Sequence, residues 1–332
     1  MVNEYRKCRA FKFAIRSETF LKRCKGLGHL LRTDSEAALA AHLPQFADDE
    51  ILMLDFPLVM QTRRVNDRAH VQRVNYLYTL SHPQDPLGPT PQPSIGVLLS
   101  AFNASSFIEM ALSSLASQRV AANQVLIIDD GSIDDLSSHI RPWLDRFPNA
   151  VFLKTQSQGK ARALNTLLPY VRTDFVLELD ADDWLDPNAI GHIKHLVTDV
   201  EEDTVLIYGN FRTWRKRTTG DYELTGIRAG HQISTPRELL SYALPLGPRV
   251  YRTSSLRAEG GFPVPSFANG RLYEDVLAIS NLMQRGEIQY HNFTVYNNLQ
   301  HGRSITKQHQ EQWDHFVRLY RDHFLRSPRQ PQ

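Results

Sequence analysis

Cysteine is almost missing from this sequence: Cys8 and Cys24 are the two in 332 residues. Two thiols make no disulfide framework, so free thiols in a reducing cytosol are expected. Long apolar runs are missing too. No stretch approaches the roughly 18 residues that a membrane span requires. At the N-terminus, charges interrupt Phe11, Phe13 and Ile15 and leave no signal-peptide core. Net charge is only +2. Without a basic excess to neutralise a phosphate backbone, a nucleic-acid partner is not expected. What remains is a cytoplasmic globular protein. Its 42% hydrophobic and 22% charged residues suffice for a substantial core.

Charge is concentrated at one end. Residues 1–33 carry nine Lys/Arg against Glu4 and Glu18. Tyr5, Phe11, Ile15 and Phe20 give an imperfect apolar stripe, which predicts a basic amphipathic helix. Such a helix either packs on its own domain or lies peripherally on the anionic inner face of a membrane. Residues 34–87 read as a small accessory region. Asp34-Ser35-Glu36 opens a helix that Pro44 ends. ILMLDFPLVM (51–60) reads as a strand pair or core segment, and residues 71–80 as a strand or a short helix. HPQDPLGPTPQP (82–93), with five prolines, is a linker.

The pattern then changes. Apolar strands are expected at 94–103, 124–132, 150–154 and 175–179, and helices at 105–118, 136–147 and 159–171. This alternation predicts a parallel α/β sheet with right-handed crossovers. Ligands bind beyond the C-terminal ends of such strands. Three polar clusters fall there: Ser100 to Asn103, Asp129 to Ser132, and Asp180 to Asp183.

The last cluster sits in TDFVLELDADDWLDP (173–187). Asp186-Pro187 reads as the N-cap and first residue of the following helix. Asp180, Asp182 and Asp183 are then left without a structural role, and three carboxylates at a buried strand end repel one another unless a cation joins them. Mg²⁺ and similar hard cations take such oxygens together with substrate phosphates. An ordinary acidic turn is the competing reading.

Four blocks in order, SIGVLLSAFNAS, QVLIIDDGSIDD, GKARALN and LELDADDWLDP, resemble the nucleotide-sugar half of a family 2 glycosyltransferase. The resemblance covers about 95–305 and not 1–90. It implies a GT-A fold, a Rossmann-like, mostly parallel sheet flanked by helices, over 94–305. A small accessory region precedes it at 1–88, and a C-terminal helix and flexible tail follow at 306–332. It further implies an inverting reaction, dependent on Mg²⁺ or Mn²⁺, from a nucleotide-sugar donor, a UDP-sugar first, to a carbohydrate, lipid-linked or small-molecule acceptor. Residue by residue, the resemblance sets Ser100, Ala101 and Phe102 at the base; the family often has Tyr where this chain has Phe102. It sets Asp130 on a uracil-type base and Gly159 and Arg162 on the ribose and diphosphate. Asp180, with Ala181 beside it, meets the ribose, and Asp182 holds the metal. Asp183 shapes the loop or supports the ligands.

RVYRTSSLRAEGGF (249–262) followed by RLYEDVLAISNLMQRG (271–286) resembles the family's Gly-Gly-Phe and Glu-Asp segments. This makes Asp275 the base, although Glu274-Asp275 also suits any helix first turn. YNNLQHGRSIT (296–306) reads as a closing loop in which His301 completes the metal site or is simply solvated, with Arg303 and Ser304 near the same phosphates. Trp184 either stacks on a sugar or packs, and His192 and His195 read as surface residues. A final helix is expected to pack back through Trp313, Phe316, Leu319 and Tyr320. Two other classes compete: a silent nucleotide-sugar-binding protein, against which an intact Asp275 argues, and a sugar nucleotidyltransferase, which would want a glycine-rich basic loop where this chain has SAFNASS.

Overall fold

The computed structural model describes residues 92–216, 222–242, 246–267, 272–301 and 312–324, with residue 323 as backbone alone, and the backbone of three earlier strands. Those strands are β1 (Phe11–Arg16), β2 (His29–Thr33) and β3 (Glu50–Met53). They pair antiparallel in the order β2-β1-β3. The helix expected from the basic N-terminus is therefore a strand over 11–16. Phe11, Phe13 and Ile15 alternate, and a period of two suits a strand face better than a helical stripe. Strand β3 agrees with the strand reading of 51–53. The helix expected after Asp34, the segments at 54–60 and 71–80, most of the linker and the C-terminal tail lie outside the described residues.

The expected alternation follows in order: β4 (Ile95–Ala101), α1 (Ile108–Ala116), β5 (Gln124–Asp129), α2 (Leu136–Ile140), β6 (Val151–Lys154), α3 (Lys160–Leu167) and β7 (Phe175–Asp180). Pro142 falls where α2 gives way to a 3₁₀ turn over Arg141–Arg146. Beyond β7 come β8 (Trp184–Leu185), α4 (Ala189–Thr198), β9 (Thr204–Lys216), β10 (Tyr222–Arg228), α5 (Pro236–Ser241), β11 (Arg249–Arg252), α6 (Thr253–Ala258), α7 (Glu274–Leu282), β12 (Glu287–Gln300) and α8 (Trp313–Phe324).

Among the described residues these strands form one nine-stranded sheet in the order β6-β5-β4-β7-β11-β9-β12-β8, with β10 on β9. Strands β6, β5, β4 and β7 are parallel. The sheet turns mixed where β11 pairs antiparallel with β7 and β9. Side chains alternate between two cores. Val97, Leu99, Val125, Ile127, Leu177 and Leu179 face the layer of α1, α2 and α4. Leu98, Leu126, Ile128 and Val176 face α3 and the later helices. Near-continuous apolar runs are what a parallel sheet covered on both faces requires.

Candidate active site

Four strand ends build the site. At the end of β4, the Ala101 carbonyl accepts a hydrogen bond from the Asp130 amide at 2.9 Å. Ser100 and Ala101 close the strand and Phe102 stands half exposed beyond it. Asn103 adopts a left-handed φ of 50°. Its amide donates to Ser132 Oγ at 2.9 Å, and its Oδ1 accepts from the Ile133 amide at 3.0 Å. The first two strand-end loops are thereby tied together.

Asp130, at the end of β5, is buried. Its Oδ1 accepts from the Gln158 amide at 3.0 Å and its Oδ2 from the Gly159 amide at 2.8 Å. It holds the turn into α3. Gly131 sits at φ 76°, and a Cβ there would lie 2.3 Å from the Ser157 nitrogen, so this backbone approach needs glycine. Gly159 opens α3 at φ 95°.

Two cations lie at that turn. Arg162 is exposed, and its guanidinium donates to the Gln158 carbonyl at 3.0 Å. Lys160, two residues earlier on the helix, points inward. Its ammonium lies 2.7 Å from Glu178 and also pairs with Asp180. Burial alone would lower its pKa, but Asp180 and Glu178 raise it well above the ordinary lysine value.

Glu178 is the largest omission from the sequence expectations. It lies in β7 with its side chain 2% exposed, on the face where Val176 meets the core. Arg249 of β11 grips it with two nitrogens, at 2.9 and 3.0 Å, and the Tyr251 hydroxyl donates to it at 3.1 Å. Burial pushes this carboxyl up, yet Arg249 and Lys160 overcome that and hold it at about 2. The legible signal is one charged residue inside FVLELD, which must be paired if buried. Arg249 goes further: it lies 3.6 Å from Asp180 and donates to Asp275 Oδ2 at 3.3 Å.

Asp180, Ala181, Asp182 and Asp183 form a tight turn in which the Asp183 amide donates to the Asp180 carbonyl at 3.1 Å. Asp183 is fully enclosed. It accepts from the Leu299 amide at 2.9 Å and from Asn298 at both oxygens. Burial, aided by Asp182 and Asp180, pushes its carboxyl well above the usual range. Asp182 is partly open, and His301 Nε2 stands 2.7 Å from its Oδ2. The other side of the imidazole stacks on Phe107, with centroids 4.6 Å apart.

The ladder explains this meeting. β12 pairs antiparallel with β8 at Tyr296↔Leu185 and Asn297↔Trp184. Carrying the strand four residues past Asn297 brings His301 back to the aspartate turn. Residues 296–300, expected as a loop, are the end of a strand; Arg303 and Ser304 lie outside the described residues.

Other expectations also change. Asp186 is no helix cap. The N-cap of α4 is Asn188, and Asp186 pairs instead with buried Arg212 at 2.6 Å and Asn297 at 2.8 Å. A fully buried guanidinium needs that carboxylate more than an exposed helix end does. Trp184 is 3% exposed and packs on Trp214 and Tyr222. His192 is half buried against Phe293 rather than on the surface. In α8, Phe316 is buried while Leu319 is 54% exposed, so Leu319 takes no part in the packing.

Asp275 lies in the first turn of α7, where Tyr273 and Glu274 redirect the chain. Tyr273 sits in the left-handed region at φ 60°. Tyr273, Phe267, Trp313 and Phe316 pack around one another, so α8 braces this turn. Glu274 is buried beside Asp275; burial first, and Asp275 second, raise its pKa to about 7.

A mixed sheet of this order, with carboxylates, a lysine and a histidine converging beyond the parallel strand ends, has the GT-A fold. Residues 96–259 match the family model Glycosyl transferase family 2, which supports a glycosyltransferase of that family. The chain is 25% identical to a chondroitin synthase of Escherichia coli over 249 residues, 74% of this chain and 35% of the relative. It is 25% identical to a hyaluronan synthase of Pasteurella multocida over 36% of this chain and 12% of that protein. It thus spans about a third or less of these relatives. In fold it resembles S. aureus TarS 1–349 in complex with UDP-GlcNAc, with TM-score 0.54 and 17% identity over 71% of this chain and 68% of that one. It also resembles the mannosyltransferase PcManGT from Pyrobaculum calidifontis in complex with GDP-Man and Mn²⁺, with TM-score 0.52 and 19% identity over 89% and 77%. Among the described residues no helix is long and apolar enough to cross a membrane.

Proposed function

We propose that this glycosyltransferase moves a sugar, with inversion, from a nucleoside-diphosphate donor, UDP-linked in the first instance, to an acceptor hydroxyl on a carbohydrate, lipid-linked or small-molecule acceptor. The observation that carries the reading is the division of the site. Asp182 and His301 form one partly open pair, and Asp275 lies on α7, where Arg249 donates to one of its oxygens. Glu178 is already bound by Arg249, Lys160 and Tyr251, and Asp180 by Lys160. Asp275, a quarter exposed while the neighbouring Glu274 and Glu178 are buried, is the accessible base for a single displacement.

On this reading Ser100, Ala101 and Phe102 border the base, on which the half-exposed Phe102 ring stacks. Asp130 shapes the turn that meets the ribose and diphosphate, and its remaining acceptor capacity serves the base. Gly159 lets that turn approach closely, and Lys160 replaces Arg162 as its cation. Asp180 and Ala181 border the ribose.

The donor set fits a divalent metal. Among the described residues no three acidic, histidine or cysteine side chains enclose an ion. One carboxylate and one imidazole, completed by diphosphate oxygens, is a set that Mg²⁺ or Mn²⁺ accepts. Asp182 and His301 would hold the cation, which when bound neutralises charge on the departing diphosphate. Asp275 takes the proton from the acceptor hydroxyl as the new bond to the anomeric carbon forms and the bond to phosphate breaks. Structures of the same fold that hold UDP-GlcNAc, or GDP-Man with Mn²⁺, support this class of donor.

The test is transfer from a panel of UDP- and GDP-sugars, with and without Mn²⁺, with the product anomer read by NMR. Asp182→Ala and Asp275→Asn are each expected to lower kcat by about 10²–10⁴-fold. Unchanged turnover in both variants overturns the assignment.

A further inference from the structure

We propose that Arg249 is a positioning residue that aims the base Asp275, tying it to the donor-side strand through buried Glu178. The inference rests on the reading of Asp275 as base. Its grounds are geometric. The guanidinium spends one edge on both oxygens of Glu178 and turns Nη1 to the Leu246 carbonyl at 3.0 Å and to Asp275 Oδ2 at 3.3 Å. Nη2 also lies 3.6 Å from Asp180. One rigid, planar group therefore spans β7, β11 and α7. Asp275 needs such a tie. Its side chain is a quarter exposed, and its other oxygen accepts from the adjacent Val276 amide at 2.9 Å. The remaining groups facing it, Glu274, Tyr273 and Tyr251, are an acid and two phenols that give it no opposing charge.

Glu178 explains why the arginine is held so firmly. A buried carboxylate in the middle of β7 needs a cation. The cation that answers it comes from β11, on the acceptor side, while Lys160 supplies the second charge from α3. Arginine is required because a lysine ammonium has no second edge with which to hold Glu178 and Asp275 at once. A purely structural account would have Arg249 do nothing except neutralise Glu178, and the two accounts separate experimentally.

The experiment compares wild type, Asp275→Asn and the double variant Glu178→Gln/Arg249→Met. The amide introduced by Glu178→Gln keeps an acceptor for Lys160 and Tyr251, and no buried acid is left without its partner. Turnover is followed with the best donor among UDP-glucose, UDP-GlcNAc and GDP-mannose in Mn²⁺. The double variant is expected to lose about 10–100-fold in kcat with donor KM within about threefold, since orientation and not binding is damaged. Wild-type kcat in the folded double variant, or a loss carried by KM instead of kcat, overturns the proposal. If the double variant does not fold, Arg249→Lys decides, with a fall in kcat at unchanged KM expected and wild-type kcat overturning it. If Asp275→Asn keeps full turnover, the assignment of the base fails instead, and the two failures are told apart.

Discussion

The parallel and mixed halves of the sheet reach the same site by different routes. In the parallel half, over β6, β5, β4 and β7, each contribution sits one or two residues past a strand. Asp130 follows β5, Phe102 follows β4, and Asp182 follows β7. In the mixed half nothing so local applies. His301 reaches Asp182 because β12 pairs with β8 more than a hundred residues earlier in the chain. Asp275 is placed by a left-handed tyrosine and a helix from the C-terminal end. The parallel half of the site is thus built by a rule of topology and the mixed half by individual long-range contacts. Damage at a distance should therefore affect the two sides unequally.

Phe316→Ala should expose that asymmetry most strongly. Phe316 is wholly buried and joins α8 to Tyr273, with ring centroids 4.7 Å apart. Its truncation should cost about 3–5 kcal/mol of stability. Below the melting transition, kcat should fall while UDP affinity, read by calorimetry, stays within about threefold, because the parallel half does not lean on α8. Equal losses in both would show that the halves are not independent.

Glu274 gives a smaller effect with a definite sign. Its folded pKa, about 7, lies above the unfolded 4.5. A raised acid favours the neutral folded form, so stability is lost as pH rises from about 4.5 through 7. Glu274→Gln should therefore raise stability by about 2 kcal/mol at pH 8 and by much less at pH 4.5. Thermal melts at the two values check this; a gain independent of pH would mean that the carboxyl is ionised throughout. Glu178 carries the opposite sign. Its depressed pKa, about 2, stabilises the fold above pH 4.5 and stops doing so as pH falls towards 2.

Legibility follows the same division. The strand-helix alternation from 94 to 180 is readable because strands buried on both faces are continuous apolar runs bounded by turn signals. The aspartate turn is readable because its carboxylates lack any local use. Glu178 escapes notice, since one charge in FVLELD looks like a boundary residue until Arg249 is known to lie beside it. Asp186 misleads because Asp-Pro before a helix is a good local cap signal, and Arg212, 26 residues later, overrides it. The basic N-terminus misleads through composition: its charges suggest an amphipathic helix, while Phe11, Phe13 and Ile15 already alternate as in a strand.

The choice between Arg162 and Lys160 is the finest point of the comparison, because it tests the half where the topological rule works. That rule selects the turn and not the side chain. GKAR offers two cations on one helix turn, and helical geometry sends residues two apart to different faces. Lys160 faces Glu178 and Asp180 beneath the site, and Arg162 faces the Gln158 carbonyl at the surface. Arg162→Ala should change stability by no more than about 0.5 kcal/mol, as surface substitutions do. UDP affinity in Mn²⁺ should stay within about twofold. A tenfold loss of affinity would mean that the guanidinium swings from Gln158 onto the donor when the nucleotide binds. In that case the donor side too would depend on a contact that neither the strand-end rule nor the ligand-free geometry supplies.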